Sequence, residues 1–383
     1  MKGRKTMIGL TFINPQYIQE AEFETVSGNS ESGKPKTGHL KILLIAAMVS
    51  TMLLLTGAGL YTRWSNTAQA RYQPSKQIKD QAEKSGLSTV VSETQTAENT
   101  GEVLSVTDQG ITISLVQTIV DNYRAELTFR IQGFELPEGR YPAVWPVVTL
   151  DGSDEGFFSS CSGSFFDGTT HNAQGKRVYT DGTPVQKDAD GSVILRYADS
   201  DGSLEYTEYI SFQKTDGRYF GKEIQVTFPD IGLDSTQMAA PYDPVVQGNW
   251  TLKWTLTGTG DNISIAPNAE IGDTGVILLD AEIGQKTIRT RYQVPALWDG
   301  WDELVTLPQA IYGVRMKDGA QYLCVPGTSG FEDQEKMIYF VESNMFDAIL
   351  DPSQVESLLF FKDWQRDAEG KPTVEEFYEI PVK

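Results

Sequence analysis

Histidine and cysteine are scarce in this chain of 383 residues, which contains two of each. With only His39 and His171, acid–base catalysis by histidine has almost no residues to use. Cys161 and Cys324 lie far apart, so they are not the framework of a disulfide-rich fold, and we expect both to be buried and unpaired. No Cys-x-x-Cys or His-Glu-x-x-His pattern occurs. The composition therefore favours a protein that is not an enzyme, with no metal site and no cofactor.

Long uncharged runs are also absent, with one exception. Residues 42–62 carry no charged side chain, and Lys41 and Arg63 bracket them. At about 1.5 Å per residue, a helix of this length reaches roughly 30 Å, the thickness of the hydrocarbon core of a bilayer. We therefore predict one transmembrane helix over residues 42–62, with the lipid bilayer as its partner.

The two sides of this run differ in charge. Residues 1–41 contain six basic and four acidic side chains, a net charge of +2, whereas the residues after Thr62 contain 26 basic and 48 acidic side chains, a net charge of −22. Basic residues favour the cytoplasmic side, and a long acidic region crosses the membrane largely regardless of its charge. We expect a cytoplasmic tail over 1–41 and an extracellular main part that does not bind nucleic acid. A signal peptide cleaved near Ala68–Ala70 is the alternative, although its N-terminal region is unusually long.

The main part of the chain alternates apolar and polar residues with a period of two. Ile111, Ile113, Leu115 and Ile119 fall on one face, and the apolar residues of 125–131 do the same after an Asp121-Asn122 turn. This pattern predicts antiparallel strands, and it recurs in further segments, which are 193–197, 206–212, 224–228, 250–256, 310–316, 321–325, 336–341 and 357–364. We predict a mainly β protein of the sandwich or barrel class.

The order of these patterns predicts the organisation of the chain. Residues 63–100 are rich in polar residues and predict a polar stalk, with a weak helix between Ser75 and Val91. Residues 275–294 repeat the strand–turn–strand pattern of 110–131, which suggests two related β-sandwich domains over 101–258 and 259–383.

Three groups of residues are candidates for a ligand or catalytic site. Cys161, Asp167 and His171 share one Gly/Ser-rich stretch without the strand–turn–helix context of a nucleophile, so a solvated loop is favoured. Asp199–Glu208 resembles part of a calcium loop, but its flanks alternate as strands, which favours a hairpin turn. An aromatic sugar-binding surface formed by three tryptophans is less favoured than core or loop anchors; they are Trp145, Trp298 and Trp301.

The tail in front of the predicted span contains one short helix signal. Asn14 and Pro15 suit an N-cap and a first helical position. The helix would place an apolar stripe beside carboxylates, a surface that suits a groove with a basic rim. The partner-binding residues predicted on this surface are Tyr17, Ile18, Glu20, Ala21 and Glu22.

Three phrases of the chain carry a resemblance to a known group of proteins. They are FINPQYIQEAEFE in the tail, GITISLVQTIVDNYRAELTFRI, and GNWTLKWTLTG. Together with the predicted span, the chain resembles single-pass membrane proteins of Gram-positive bacteria whose extracellular domain, of unknown function, is grouped with anti-sigma-factor proteins. The resemblance implies a second, immunoglobulin-like β-sandwich domain at the C-terminus, and a tail that contacts an extracytoplasmic-function sigma factor.

Two kinds of function fit this organisation. The first is a membrane-anchored regulatory protein, anti-sigma-factor-like, whose extracellular region senses a cell-envelope ligand and whose tail binds a sigma factor. The second is a structural or adhesive envelope protein whose β-sandwich domains bind wall polymer or another protein. An exported hydrolase is the weakest candidate, because no nucleophile or metal pattern supports it.

Overall fold

The protein is described here by a computed structural model. It describes residues 64–91, 102, 104–159, 163–172, 175–189, 191–234, 242–295, 311–345, 347–366 and 372–382. Within these ranges, neither helix has the length and apolar character that crossing a bilayer requires. The predicted span over 42–62 and the tail residues Tyr17, Ile18, Glu20, Ala21 and Glu22 lie outside them.

The described chain is mainly β, as predicted. Its two α-helices come first, α1 at Asn66–Tyr72 and α2 at Lys76–Lys84. Both begin with a serine whose side chain accepts a hydrogen bond from a backbone N–H of the first turn, which is the usual N-cap arrangement. A short 3-10 helix at Pro352–Gln354 lies near the C-terminus.

In the described part of the chain, thirteen strands precede residue 256. They are β1 Ser88–Val90, β2 Ser105–Asp108, β3 Ile111–Val120, β4 Arg124–Gln132, β5 Pro142–Ala143, β6 Val147–Leu150, β7 Phe157–Phe158, β8 Ser164–Phe165, β9 Thr169–His171, β10 Arg177–Tyr179, β11 Leu204–Phe212, β12 Glu223–Asp234 and β13 Tyr242–Thr255. One sheet has the order β1-β3-β4-β11-β7, with β2 beside β3 and β8 beside β11. A second has the order β13-β12-β5, with β6 beside β12, and β9 pairs with β10.

Side chains from these two larger sheets form one hydrophobic core, and we call residues 102–256 the first half. Phe129 of β4 meets Phe228 of β12 edge to face, with ring centroids 5.1 Å apart. Trp250 of β13 is completely buried, and its indole N–H donates to the Ile111 carbonyl at 2.9 Å. The paired polar atom lets this large ring lie in the core without an unsatisfied donor.

Residues 263–382, the second half, form a separate core. Their strands are β14 Ile263–Ile265, β15 Ala269–Glu270, β16 Ile277–Ile283, β17 Thr287–Gln293, β18 Ile311–Met316, β19 Gln321–Asp333, β20 Ile338–Met345, β21 Val355–Arg366 and β22 Pro372–Pro381. They make one nine-stranded sheet with the order β14-β16-β17-β20-β19-β18-β21-β22 and β15 beside β16. The long strand β19 pairs with β18 through its first residues and with β20 through its later ones.

The strand predictions hold where alternation was clearest. The predicted hairpin over 111–131 is present as β3 and β4, and its later counterpart as β16 and β17. Residues 193–197 are an exception, because they form no strand: Val193 makes one isolated bridge to Lys187, and the next bridge is at Ala198. The alternating residues Val193, Leu195 and Tyr197 are only partly buried and Ile194 is 44% exposed, so the segment gains too little burial to be held as a strand.

The polar stalk predicted over 63–100 is wrong for the part that the structure describes. Residues 64–91, which we call the N-terminal segment, form α1, α2 and β1. The weak helix predicted after Ser75 is α2, and β1 pairs with β3 of the first half. Trp64, Tyr72 and Leu87 are all at most 5% exposed. This segment is therefore part of the folded body.

One buried carboxyl group stands out in β11. Glu208 is 2% exposed, and its carboxylate accepts a hydrogen bond from the Tyr206 hydroxyl. Burial raises the pKa of Glu208 to about 7, and the Tyr206 hydrogen bond opposes part of that rise. Because its pKa is higher in the folded than in the unfolded chain, Glu208 favours folding at low pH, and this contribution is lost as pH rises through about 7.

We predict that Glu208→Gln removes a pH dependence of stability. Ionisation of Glu208 between pH 5 and pH 8 should lower the free energy of unfolding of the native chain by about 2–3 kcal/mol. The variant lacks this ionisation, so its stability should rise relative to that of the native chain as the pH rises. The measurement is urea denaturation of residues 63–383 at both pH values. Glu335→Gln, on an exposed turn, is the matched control and should follow the native chain. An identical pH dependence of Glu208→Gln and native chain would contradict the prediction.

Candidate functional site

The first described residues are firmly held by the folded body. Trp64 is 3% exposed, and its indole N–H donates to Glu83 of α2 at 2.7 Å. The next residue, Ser65, donates its backbone N–H to Gln117 of β3 at 2.9 Å. The chain is therefore fixed immediately after the predicted span ends.

Helix α1 is fixed at its N-terminus by a carboxylate of the first half. Glu205 of β11 accepts the backbone N–H groups of Asn66 at 2.9 Å and Thr67 at 2.6 Å. The Thr67 hydroxyl donates to the same carboxylate at 2.6 Å. A negative charge at a helix N-terminus is favourable, because it satisfies free N–H groups and complements the helix dipole.

The last residue of α1 lies where the N-terminal segment and both halves meet. The Tyr72 hydroxyl donates to the carboxylate of Glu126 on β4, at 2.6 Å to one oxygen. The Lys286 ammonium, from the turn between β16 and β17, lies 3.9 Å from the centroid of the Tyr72 ring. The same ammonium is 3.7 Å from a Glu126 oxygen and donates to the Met345 carbonyl at 2.6 Å. We call Tyr72, Glu126 and Lys286 the junction triad.

The junction triad is largely shielded from water. The side chains of Lys286 and Glu126 are 8% and 14% exposed, and Tyr72 as a residue is 5% exposed. Burial lowers the pKa of Lys286 to about 8, against the attraction of Glu126. Burial also raises the pKa of Tyr72, so the hydroxyl stays protonated and can donate. Lys286 is therefore a charged but easily neutralised group at neutral pH.

Further polar contacts connect the two halves beside the triad. The Tyr123 hydroxyl donates to the Glu282 carboxylate across the junction. Asp121 is 3% exposed and accepts the backbone N–H groups of Tyr123 and Arg124, each at 2.8 Å. Burial raises the pKa of Asp121. On the second half, Gln285 donates its side-chain amide to Ser85 of the N-terminal segment at 2.7 Å.

A small apolar cluster supports these polar contacts. It joins the N-terminal segment to Ile119 of the first half and Ile349 of the second. Its other buried members are Trp64, Ala68, Tyr72, Ala82 and Leu87. Packing of this kind removes water from the triad and strengthens its charge interactions.

Polar satisfaction at the junction is incomplete. The side-chain carbonyl oxygens of Asn122, Gln285 and Asn344 are buried and have no hydrogen-bond partner among the described residues. A buried polar group without a partner costs free energy that a better arrangement would recover. The junction is thus a specific contact that is not optimised for stability.

No residue of the junction was predicted from the sequence. Glu126 lies on the outward face of a strand and Lys286 lies in a turn, where charged residues are ordinary, so neither carries a local signal. The predicted tail residues Tyr17, Ile18, Glu20, Ala21 and Glu22 lie outside the described residues, and the structure neither brings them together nor separates them.

The structure also describes parts of the three candidate ligand or catalytic sites. His171 lies in β9, where its carbonyl accepts from Gln73 at 2.8 Å, while Cys161 lies outside the described residues. Asp201 accepts from Ser203 in the predicted turn. Trp145 is 37% exposed, whereas Trp298 and Trp301 lie outside the described residues. The described part of the chain contains no group of histidine, cysteine or carboxylate side chains arranged for a metal ion, and Cys324 is buried and free.

Comparison with known proteins adds little to this geometry. No protein-family model matches the chain, and no curated protein matches it. A solved structure described as the crystal structure of the conserved domain protein from Bacillus anthracis is similar at a TM-score of 0.41 and 11% identity, covering 76% of this chain and 94% of that chain. A likeness this distant assigns neither function nor site.

We predict that Lys286 and Glu126 are energetically coupled. Removing either charge should destabilise the chain by about 3–5 kcal/mol, because the other is left buried without its partner. The double variant Lys286→Met with Glu126→Gln should lose less than the sum, with a coupling energy of about 1–3 kcal/mol. The measurement is a double-mutant cycle by urea denaturation at pH 7.

The matched control is the ion pair of Lys222 and Asp151. Its atoms are 3.6 Å apart, but its side chains are 38% and 54% exposed. The same cycle there should give a coupling of about 0.5 kcal/mol or less. Equal coupling at the two pairs would show that burial at the junction has no energetic effect.

Proposed function

We propose that the chain is a membrane-anchored regulatory protein, anti-sigma-factor-like, in which an extracellular β region senses an envelope cue and the cytoplasmic tail contacts a sigma factor. The observation that carries the proposal is the packing of the N-terminal segment against both halves. A free stalk would isolate the membrane anchor from the β region. A segment held by the first half at Ser65 and Tyr72 and by the second half at Ser85 would tie the predicted span to the arrangement of the two halves.

The coupling would work through the junction triad. Tyr72 binds Glu126 of the first half and lies against Lys286 of the second, so a shift of one half relative to the other must change the contacts of α1. Tyr72 lies only ten positions after Thr62, the last residue of the predicted span. A ligand that prefers one arrangement would shift the population of arrangements, and the anchor would follow.

We also propose that the two halves are tandem sandwich domains, the second of them immunoglobulin-like. The antiparallel pairing supports this assignment, as does the single core that both sheets of the first half share. The two hydrophobic clusters divide in sequence between Leu256 and Ile265, close to the boundary predicted at 258–259. Such domains provide rigid binding surfaces and need no catalytic centre.

The cytoplasmic end of the proposal rests on the tail. A helix of about ten residues is marginal alone in water, so its apolar stripe would order only against a partner. Tyr17, Ile18 and Ala21 would fill a groove, and Glu20 and Glu22 would face a basic rim. The same chemistry fits the extracytoplasmic-function sigma factor that the resemblance implies.

We predict that weakening the junction changes signalling without removing the protein from the membrane. In the host, Lys286→Met should change transcription from a sigma-factor-dependent reporter by about fivefold or more, because α1 loses a contact to the second half. Lys222→Met, at an exposed pair, is the matched control and should leave the reporter unchanged. Membrane levels of both variants are measured by immunoblot. An unchanged reporter in Lys286→Met at normal protein levels would contradict coupling through the junction.

We further predict that the tail binds a sigma factor through its apolar stripe. Residues 1–38 used as bait should capture one of the sigma factors of the host, and Tyr17→Asp with Ile18→Asp should abolish capture, because a charge cannot be buried cheaply in a groove. Thr11→Asp lies before the predicted helix and serves as the control. If the bait captures no sigma factor under conditions in which a known anti-sigma factor captures its own sigma factor, the proposed binding of a sigma factor by the tail is contradicted.

A further inference from the structure

An open groove with aromatic walls lies on the first half, away from the junction triad. It has a volume of about 380 Å³. The side chains that matter for its chemistry are Trp145, Tyr206, Asp234 and Tyr242. Trp145 is 37% exposed, and its ring centroid is 5.8 Å from that of Tyr242 at an angle of 52°. Two tilted rings therefore face a common space that solvent can enter.

Two glycines make room for these rings. A Cβ atom on Gly232 of β12 would clash with the backbone carbonyl of Asp243 and would lie 2.8 Å from the Tyr242 ring. A Cβ atom on Gly163, in the groove wall, would lie 1.8 Å from the Tyr206 hydroxyl. A side chain at Gly163 would require the Tyr206 ring to move, and a side chain at Gly232 would require the β13 backbone to move as well. The positions of Tyr206 and Tyr242 are thus built into the fold and are not accidents of a surface loop.

The charged residue that lines the described groove is an aspartate. Asp234 lines it, and Asp230 accepts the hydroxyl of Tyr242. The Arg140 guanidinium lies 3.5 Å from the Asp243 carboxylate and donates to the Asp234 backbone carbonyl, so one positive charge lies beside the groove and is paired with Asp243. No lysine or arginine lines the groove as the structure describes it. The groove therefore presents aromatic faces and negative charge together.

We propose that this groove binds an organic ammonium cation. Aromatic faces attract cations through their negative electron density, most strongly for Trp and Tyr, and a neighbouring carboxylate adds attraction at the same point. The net charge of −22 after Thr62 repels anionic ligands and concentrates cations near the surface. This assignment rests on the groove alone and does not depend on the proposed membrane anchoring or on the tail.

The test compares choline with its neutral isostere, 3,3-dimethyl-1-butanol, by isothermal titration calorimetry on the full chain in a polyoxyethylene detergent. The two probes have the same shape, so the difference in affinity reports the charge. Choline should bind about tenfold more tightly than the isostere. Trp145→Ala and Tyr242→Ala should each weaken choline binding about threefold to thirtyfold. Tyr322→Ala, 40% exposed on the second half, is the matched control and should leave it unchanged.

Thermal unfolding of each variant verifies that it is folded, and the comparison of the two probes on the native chain needs no variant. Equal affinity for choline and the isostere, unchanged affinity in Trp145→Ala, or no saturable choline binding would each overturn the proposal. A panel arm with N-acetylglucosamine oligomers covers the neutral alternative. Binding of these sugars without binding of choline would reassign the groove to saccharides and also overturn it.

Discussion

The organisation of the described chain depends on one buried carboxylate, that of Glu126. It accepts the Tyr72 hydroxyl from the N-terminal segment and lies 3.7 Å from the Lys286 ammonium of the second half. Taking a carboxylate and an ammonium out of water costs several kcal/mol each, and their mutual attraction repays this only when the geometry is good and other polar atoms are satisfied. Here the Met345 carbonyl completes the environment of Lys286. Removing any member leaves the others buried and incompletely paired.

Such a contact selects one arrangement more than it adds stability. A well-packed apolar contact of similar volume is often equally stable or more so. A polar contact, in contrast, is satisfied in one geometry alone and penalises every other. The buried side-chain amide oxygens of Asn122, Gln285 and Asn344 have no hydrogen-bond partner among the described residues. This reduces the difference in free energy between the observed arrangement of the two halves and other arrangements. Under the proposed function, a junction that is specific but incompletely satisfied would allow the two halves to change their arrangement.

Patterns within short segments of the sequence correctly predicted the strands whose burial depends on those segments alone. The strands β3 and β4 follow from alternation because each residue's burial is decided by its place on a pleated sheet. The N-terminal segment was predicted wrongly because its composition is polar and its helices are short. Its few large apolar residues are nevertheless buried. Its polar groups are satisfied by distant residues, such as Glu205, which lies 138 positions from Thr67. No window of sequence contains that information.

The groove shows the same limit in another form. From the sequence, Trp145 is a candidate for an aromatic ligand-binding surface as well as for the core. Its neighbour in the structure, Tyr242, is almost a hundred positions away in the sequence. Only the pairing of β5 and β13 with β12 brings them together. The glycines that admit the rings, Gly163 and Gly232, are two among 35 and carry no signal by themselves.

Strand β11 places the groove and the N-terminal segment one peptide bond apart. Glu205 holds the N-terminus of α1, and the next residue, Tyr206, lines the groove on the opposite face of the same strand. Neighbouring residues of a strand point to opposite faces, so Tyr206 at the groove and Glu205 at α1 share one stretch of backbone. A ligand that moves the Tyr206 ring acts on the strand that holds α1. Three residues after Tyr206, the ring of Tyr209 lies beneath the guanidinium of Arg71, whose Cζ atom is 5.0 Å from the centroid of that ring. Strand β11 therefore contacts both ends of α1, and through α1 the groove is connected to the residues that follow the predicted span.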